Sequence, residues 1–231
     1  MLSADELESM TVPAWERAKE AIANGDADRA VALIDEAASR TRSLQVYSIE
    51  WITSLLSFIG RELGEDAVER ALRTSGDDFI RDRRDPHGGR GSSWDTLPAE
   101  ARAKVIARAM VANGSTCEVD EDEDKIVLSF RCGSGGRLID EGRYDVDGGP
   151  YLTLHERSGR TFDRDELPVY CAHCSVNNEM QAIEWGGAPG SIEFPPTQPG
   201  EPCVHHVYRD VDAMPQDAYV RIGITRRGPR P

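Results

Sequence analysis

The chain has 231 residues and a formal charge of -14, with 27 Lys and Arg against 41 Asp and Glu, so clustered cations for a nucleic-acid surface are lacking and no nucleic-acid partner is expected. Its length provides for one core, or one core with a helical appendage. The opening Met1-Leu-Ser-Ala-Asp-Glu-Leu-Glu8 has neither a cationic start nor an apolar run, and the stretch Trp51 to Ile59 is broken by Thr53, Ser54 and Ser57 and is too short to cross a bilayer. A cytoplasmic protein with no membrane partner is the expectation.

Residues 1–43 read as a helical hairpin. Thr11 and Pro13 mark a start, Asn24-Gly25 a stop, and Asp26 a cap for a second helix in which Ala30, Leu33, Ile34 and Ala37 recur at helical spacing. Trp15-Glu-Arg-Ala-Lys-Glu-Ala-Ile22, Gly25-Asp26 and Ala30-Val-Ala-Leu-Ile34 resemble one unit of a tetratricopeptide-type helix pair. A single unit cannot bury its own face, so it should dock on the body or on another subunit.

The main body is expected over residues 44–221. From Leu44 to Leu63 apolar residues cover most of a helix circumference, which predicts a helix central to the core or to a homodimer interface. Gly64 closes it, and Glu65 to about Ile80 continues as an amphipathic helix with Ala67, Val68, Ala71 and Leu72 inward. Arg81 to Ser93, charged and glycine-rich, reads as a loop, and Thr96, Pro98 and Glu100 open a helix that Asn113-Gly114 ends.

Past Gly114 the pattern turns to strands. Cys117-Glu-Val119 and Lys125 to Arg131 flank Asp120-Glu-Asp-Glu-Asp124, two strands joined by an acidic turn that lacks the spacing of a calcium loop. Short strands near 151–155, 168–170, 190–194 and 204–209, with a helix over about Ser175 to Trp185, complete a small, mainly antiparallel sheet. Residues 222–231, rich in Arg, Pro and Gly, read as a flexible tail. Helices first and a sheet afterwards make an α+β fold.

The chemistry concentrates in this second half. Cys171-Ala-His-Cys174 supplies two thiols from one turn, Cys132 opens Cys-Gly-Ser-Gly-Gly136, and Cys203 opens Cys-Val-His-His206. An odd number of cysteines without an export signal fits metal ligation better than a disulfide framework. Cys132, Cys171, Cys174 and Cys203 together make a tetrahedral four-thiolate set for zinc, and iron or an iron-sulfur cluster accepts the same ligands. Glycines 133, 135 and 136 would let backbone N–H groups approach sulfur.

Other readings of the same residues stay open. Cys132 and Cys203 could be small buried residues of the sheet. Cys171 and Cys174 at a helix start could be an exchanging dithiol, although the βαβ unit that such a domain needs upstream is replaced by helices. His173, His205 and His206 adjoin the cysteines; His205 and His206 point to opposite faces of a strand, so at most one of them faces the cluster. His173 and His206 are the candidate proton carriers. Glu179, on the helix after Cys174, could shuttle protons or lie on a solvated face, while His87 and His155 read as solvent-facing.

Helices followed by a small sheet, Tyr170-Cys171, a glycine-proline stretch, and Pro199-Gly-Glu-Pro-Cys203 before a strand resemble the C-terminal half of the L-2-amino-thiazoline-4-carboxylic acid hydrolase-like family. The chain is more distantly similar to the vinyl-reductase-like ligand-binding domains. The likeness spans roughly residues 44–210 in pattern, with Cys171, Gly200 and Cys203 as its specific residues. It implies a cytosolic enzyme that opens a small heterocycle or cleaves a C–N bond, with Cys171 and Cys203 in or near the site. Cys132 with its glycine run, Cys174 and the N-terminal hairpin depart from that pattern and favour a metal over a lone cysteine nucleophile. The expectation is a zinc-dependent hydrolase or lyase for a small polar substrate. Its alternatives are a non-catalytic ligand-binding or scaffold protein with a structural four-cysteine zinc, and a dithiol oxidoreductase.

Overall fold

The computed structural model describes residues 2–80 and 94–225, so the expected glycine-rich loop with His87 and the last six residues of the expected tail lie outside the described residues. Two compact units divide the chain, Met1–Ser48 and Ile49–Pro231.

In the first unit, helix α1 (Ala4–Thr11) begins with a reciprocal cap: Ser3 Oγ accepts the Glu6 N–H at 3.2 Å while Glu6 Oε2 accepts the Ser3 N–H at 2.6 Å. Helix α2 (Ala14–Ala23) starts after Pro13, and Gly25, with φ +76°, turns the chain into α3 (Ala27–Leu63). Ala18, Ala21, Ala30 and Leu33 form its small core. Buried Arg17 is matched by Glu36 at 2.9 Å. Helix α3 is one element of 37 residues. The helix runs unbroken through the expected unit boundary at 43/44, because Ser39-Arg-Thr-Arg-Ser-Leu44 contains no glycine or proline to end it, and the compact units divide at 48/49.

The second unit begins within α3 and inverts an expectation. The buried face carries Ile49, Thr53, Leu56 and Ser57, whereas Trp51, Ile52, Leu55 and Phe58 are exposed, so this helix is buried along one stripe rather than all round. Its hydroxyls are satisfied locally: Thr53 Oγ1 donates to the Ile49 carbonyl at 2.6 Å, and Ser57 Oγ donates to the Thr53 carbonyl at 2.7 Å. Ser57 Oγ also accepts the Leu152 N–H at 3.0 Å. Helix α4 (Glu65–Ser75) packs Val68 and Leu72 inward, and α5 (Ala99–Ala112) follows Pro98.

Strands β1 (Thr116–Glu121) and β2 (Lys125–Arg131) form the expected hairpin. At its acidic turn, hydrogen bonds from the Lys125 ammonium and the amides of Lys125 and Asp124 hold the Asp122 carboxyl down to about 2. Helix α6 (Gly135–Asp140) and a two-stranded pair, β3 (Thr153–Leu154) with β4 (Leu167–Pro168), come next. Tyr170 and Cys171 lie in a 3-10 turn, Val169–Cys171. A π-helical turn, Cys174–Met180, then leads into α7 (Gln181–Gly186). Strands β5 (Ile192–Phe194) and β6 (Cys203–Tyr208) complete an antiparallel sheet of order β1-β2-β6-β5, and α8 (Gln216–Val220) closes the described chain. The α+β class is as expected.

Two apolar clusters fill the second unit. In one, Ile126, Leu128 and Phe130 of β2, with Cys203 and Val207 of β6, meet Ala99 and Ala103 of α5. A larger cluster includes Leu138, Leu154, Leu167, Val176 and Ile192. Ile222, only 2% exposed, belongs to it, so the packed chain extends past the expected start of the tail at residue 222. Among the described residues, no helix is long and apolar enough to cross a membrane.

Candidate metal centre

Four cysteines from three separate stretches of chain line one small cavity: Cys132 just after β2, Cys171 and Cys174 at the start of the helical run, and Cys203 at the head of β6. Sheet register brings them there. Phe130 is the cross-strand partner of Cys203, so the loop leaving β2 at Cys132 runs beside the first residue of β6. The glycines then allow close approach. A Cβ on Gly135 would stand 2.9 Å from Cys171 Sγ and 3.1 Å from the Tyr170 ring, and one on Gly136 would stand 2.8 Å from Cys132 Cβ. Ser134 Oγ lies 3.3 Å from Cys132 Sγ.

Each of two thiols faces an imidazole nitrogen. Cys203 Sγ lies 3.5 Å from Nε2 of His205, two residues along the same strand and on the same face. On the other side of that ring, Nδ1 is 3.2 Å from Ser191 Oγ and 3.6 Å from the Glu193 carboxylate, its cross-strand partner. Phe130 packs edge-on against the ring at 5.1 Å. The second pair is Cys174 Sγ and His173 Nε2 at 3.6 Å. His173 Nδ1 donates to the Tyr170 carbonyl at 2.6 Å, which leaves Nε2 as a lone pair.

Burial governs the charges. It pushes the thiols of Cys171, Cys174 and Cys203 well above their ordinary range, with Arg164 opposing it at Cys171 and Cys203. It pushes His205 down, so the imidazole is neutral. Burial thus favours the uncharged thiol at Cys171, Cys174 and Cys203; a bound metal would convert them to thiolates. The same shift runs opposite to the lowered thiol that dithiol exchange uses at a helix start.

Thiol sulfur and imidazole nitrogen are donors of the kind that soft divalent ions take. Sulfur-to-nitrogen separations of 3.5 and 3.6 Å equal the ligand-to-ligand edge of a tetrahedral zinc site, about 3.5 Å for bonds of ~2.3 and ~2.0 Å. The cavity, about 40 Å³, holds an ion or a water but no organic substrate. Among the described residues, no three His, Cys, Asp or Glu side chains already stand together so as to hold a metal ion.

Of the residues singled out in the sequence, the four cysteines, Gly135, Gly136, His173 and His205 line the cavity. His206 does not; it faces the other side of β6, with its ring 4.9 Å from that of Phe194 and 6.4 Å from that of Tyr208. Glu179 is neither solvated nor on the cavity wall. It is 1% exposed, and its Oε1 accepts the Glu193 N–H at 2.6 Å and Arg221 Nη2 at 2.5 Å. Burial raises its carboxyl to about 8, against the pull of Arg221. It braces β5 behind Glu193. His155 is exposed, as its sequence context suggests. The residues that sequence reasoning passes over are His205, set aside in favour of its neighbour, and Glu193. Strand alternation from Cys203 would have found the first; the second needs the β5–β6 register.

No family model, no curated protein and no solved structure matches this chain. Function is therefore argued from the site's own chemistry.

Proposed function

We propose that this protein binds one thiophilic divalent metal, of the zinc class, in the cavity formed by Cys132, Cys171, Cys174 and Cys203, and uses it as a hydrolase or lyase on a small polar molecule. One observation carries the reading: four thiols from three separate stretches of chain converge on a single buried cavity, beside an imidazole backed by a carboxylate. Buried free cysteines packed only as core residues need no such pairing. The Glu193–His205 arrangement instead matches the carboxylate–imidazole support that orients metal ligands. His173 or His205 would complete the ligand set or carry protons beside it, and a metal held there would supply Lewis acidity.

A specific observation favours a second reading. The cavity of about 40 Å³ leaves no room for substrate at the ion, as in a closed structural site of four thiolates that staples the sheet to the helical run. X-ray absorption of the zinc-loaded protein separates the two. Three protein ligands with an exchangeable light atom support the enzyme. A shell of four sulfurs supports the staple and ends the catalytic reading. Failure to take up zinc ends both.

The exposed Leu55, Phe58 and Leu63 of α3 support a homodimer packed through this helix. Light scattering should then give twice the chain mass, falling to one chain in Leu55→Glu/Phe58→Glu; a wild-type monomer contradicts it.

A further inference from the structure

We propose that the groove beside the cysteine cavity is a binding site for a small organic monocarboxylate whose carboxylate is held by Arg164. The groove, about 780 Å³, has Ile139, Tyr144, Thr153, Arg164, Pro168 and Pro199 in its walls. It is large enough for a small organic molecule, and its aliphatic and ring surfaces suit an apolar body.

Arg164 is the unusual group. Other arginines nearby are matched to acids: Arg157 lies 2.9 Å from Asp163 and 3.5 Å from Asp165, and buried Arg160 is ringed by Glu65, Asp66, Glu69 and Glu156. Arg164 makes no ion pair among the described residues, in a chain whose net charge is -14. It is half-buried; Nη1 donates to the Pro195 carbonyl at 3.0 Å, and the guanidinium lies 5.6 Å from the centre of the Phe162 ring. Arg221 stands over the same ring at 4.5 Å, its guanidinium hydrogen-bonded to Glu179 Oε1 and to the Glu193 carbonyl. Burial first, and repulsion from Arg221 second, lower the pKa of Arg164, a penalty that an anion in the groove would relieve.

An independent observation points the same way. Tyr144, in the same wall, is 1% exposed and its hydroxyl has no hydrogen-bond partner. A buried phenol left unpaired is costly, and a carboxylate reaching it would accept its hydrogen bond. The groove is also lined by Asp147, Asp163, Asp165 and Glu166. Those charges repel a dianion more than a monoanion, which selects a carboxylate over a phosphate. None of this requires a metal.

The test is ligand-observed NMR on the full chain with a panel of small monocarboxylates, their primary amides, and inorganic phosphate, each with zinc-loaded and chelator-treated protein. Carboxylates should bind in both forms, with amides and phosphate at least ~10-fold weaker, and Arg164→Gln should weaken carboxylate binding by ~10-fold or more. In wild-type protein, a bound carboxylate should protect Arg164 from phenylglyoxal, read by mass spectrometry; this arm needs no variant to fold. The proposal is overturned if no carboxylate in the panel binds, if amides or phosphate bind equally well, or if Arg164 stays unprotected. Binding that vanishes only on chelation would move the ligand to the metal centre and also overturn it.

Discussion

Glu193 and His205 face each other across β5 and β6, with the carboxylate oxygen 3.6 Å from Nδ1 of the imidazole whose Nε2 points at Cys203. Both side chains are nearly dry, and the Glu193 backbone is in turn held by Glu179. Replacing Glu193 by Gln keeps the shape and removes the charge behind the ring. Zinc affinity, measured by competition with a chromophoric chelator, should fall by about 10- to 100-fold while the circular dichroism spectrum stays unchanged. Unaltered affinity would show that His205 is a packing residue.

Cysteines should divide by position. Cys117 lies on β1 outside the cavity, against the α5 cluster, and Cys117→Ser should leave zinc uptake intact. Cys171→Ser or Cys203→Ser should lower zinc occupancy to below about half, since three thiolates and an imidazole retain only part of the affinity. Equal uptake by all three variants would remove the cavity as the site.

Gly135 fixes how closely the α6 loop approaches sulfur. Gly135→Ala puts a methyl 2.9 Å from Cys171 Sγ and 3.1 Å from the Tyr170 ring, an overpacking that should cost about 1–3 kcal/mol in urea denaturation. Gly200→Ala makes a useful contrast. Its added Cβ meets nothing within 4 Å, so any loss there comes from φ +84° alone.

Glu179 sets a pH dependence of known sign. Its folded carboxyl titrates at about 8, above the ordinary value of 4.5, because of burial. Below the ordinary value both folded and unfolded forms carry the proton. Between the two values only the folded form does, so stability falls as pH rises, by about 1.4 kcal/mol per unit at most. Glu179→Gln lacks this titration. The stability difference, wild type minus variant, should therefore shrink from pH 5 to pH 8 in thermal melts; a difference that grows would mean that Arg221 keeps the carboxylate charged throughout.

Much of this arrangement was legible in the residues, and what was not has identifiable causes. The gathering of distant cysteines followed from counting thiols, and the hairpin of β1 and β2 from alternation around the acidic turn. Cys203 and His205 share a face by the period of a strand, which the choice of His206 as proton carrier overlooks. Helix α3 misled because its apolar residues outnumber its small ones. Thr53, Ser57 and Gly60 in fact share the inward stripe with Ile49 and Leu56: the hydroxyls bond to their own helix, and a Cβ on Gly60 would stand 2.3 Å from the Leu152 side chain. Trp51, Ile52, Leu55 and Phe58 lie outside that stripe. Glu193 escaped notice because its role exists only through register with β6, and Glu179 because an acidic residue on a helix ordinarily faces water.

The most direct measurement is metal content by mass spectrometry together with thiol titration on the native protein. One zinc per chain, with Cys132, Cys171, Cys174 and Cys203 shielded from a thiol reagent until a chelator is added, is the expected result. A chain that stays metal-free after exposure to zinc, its thiols equally shielded with and without chelator, would contradict the assignment and leave the cysteines as core.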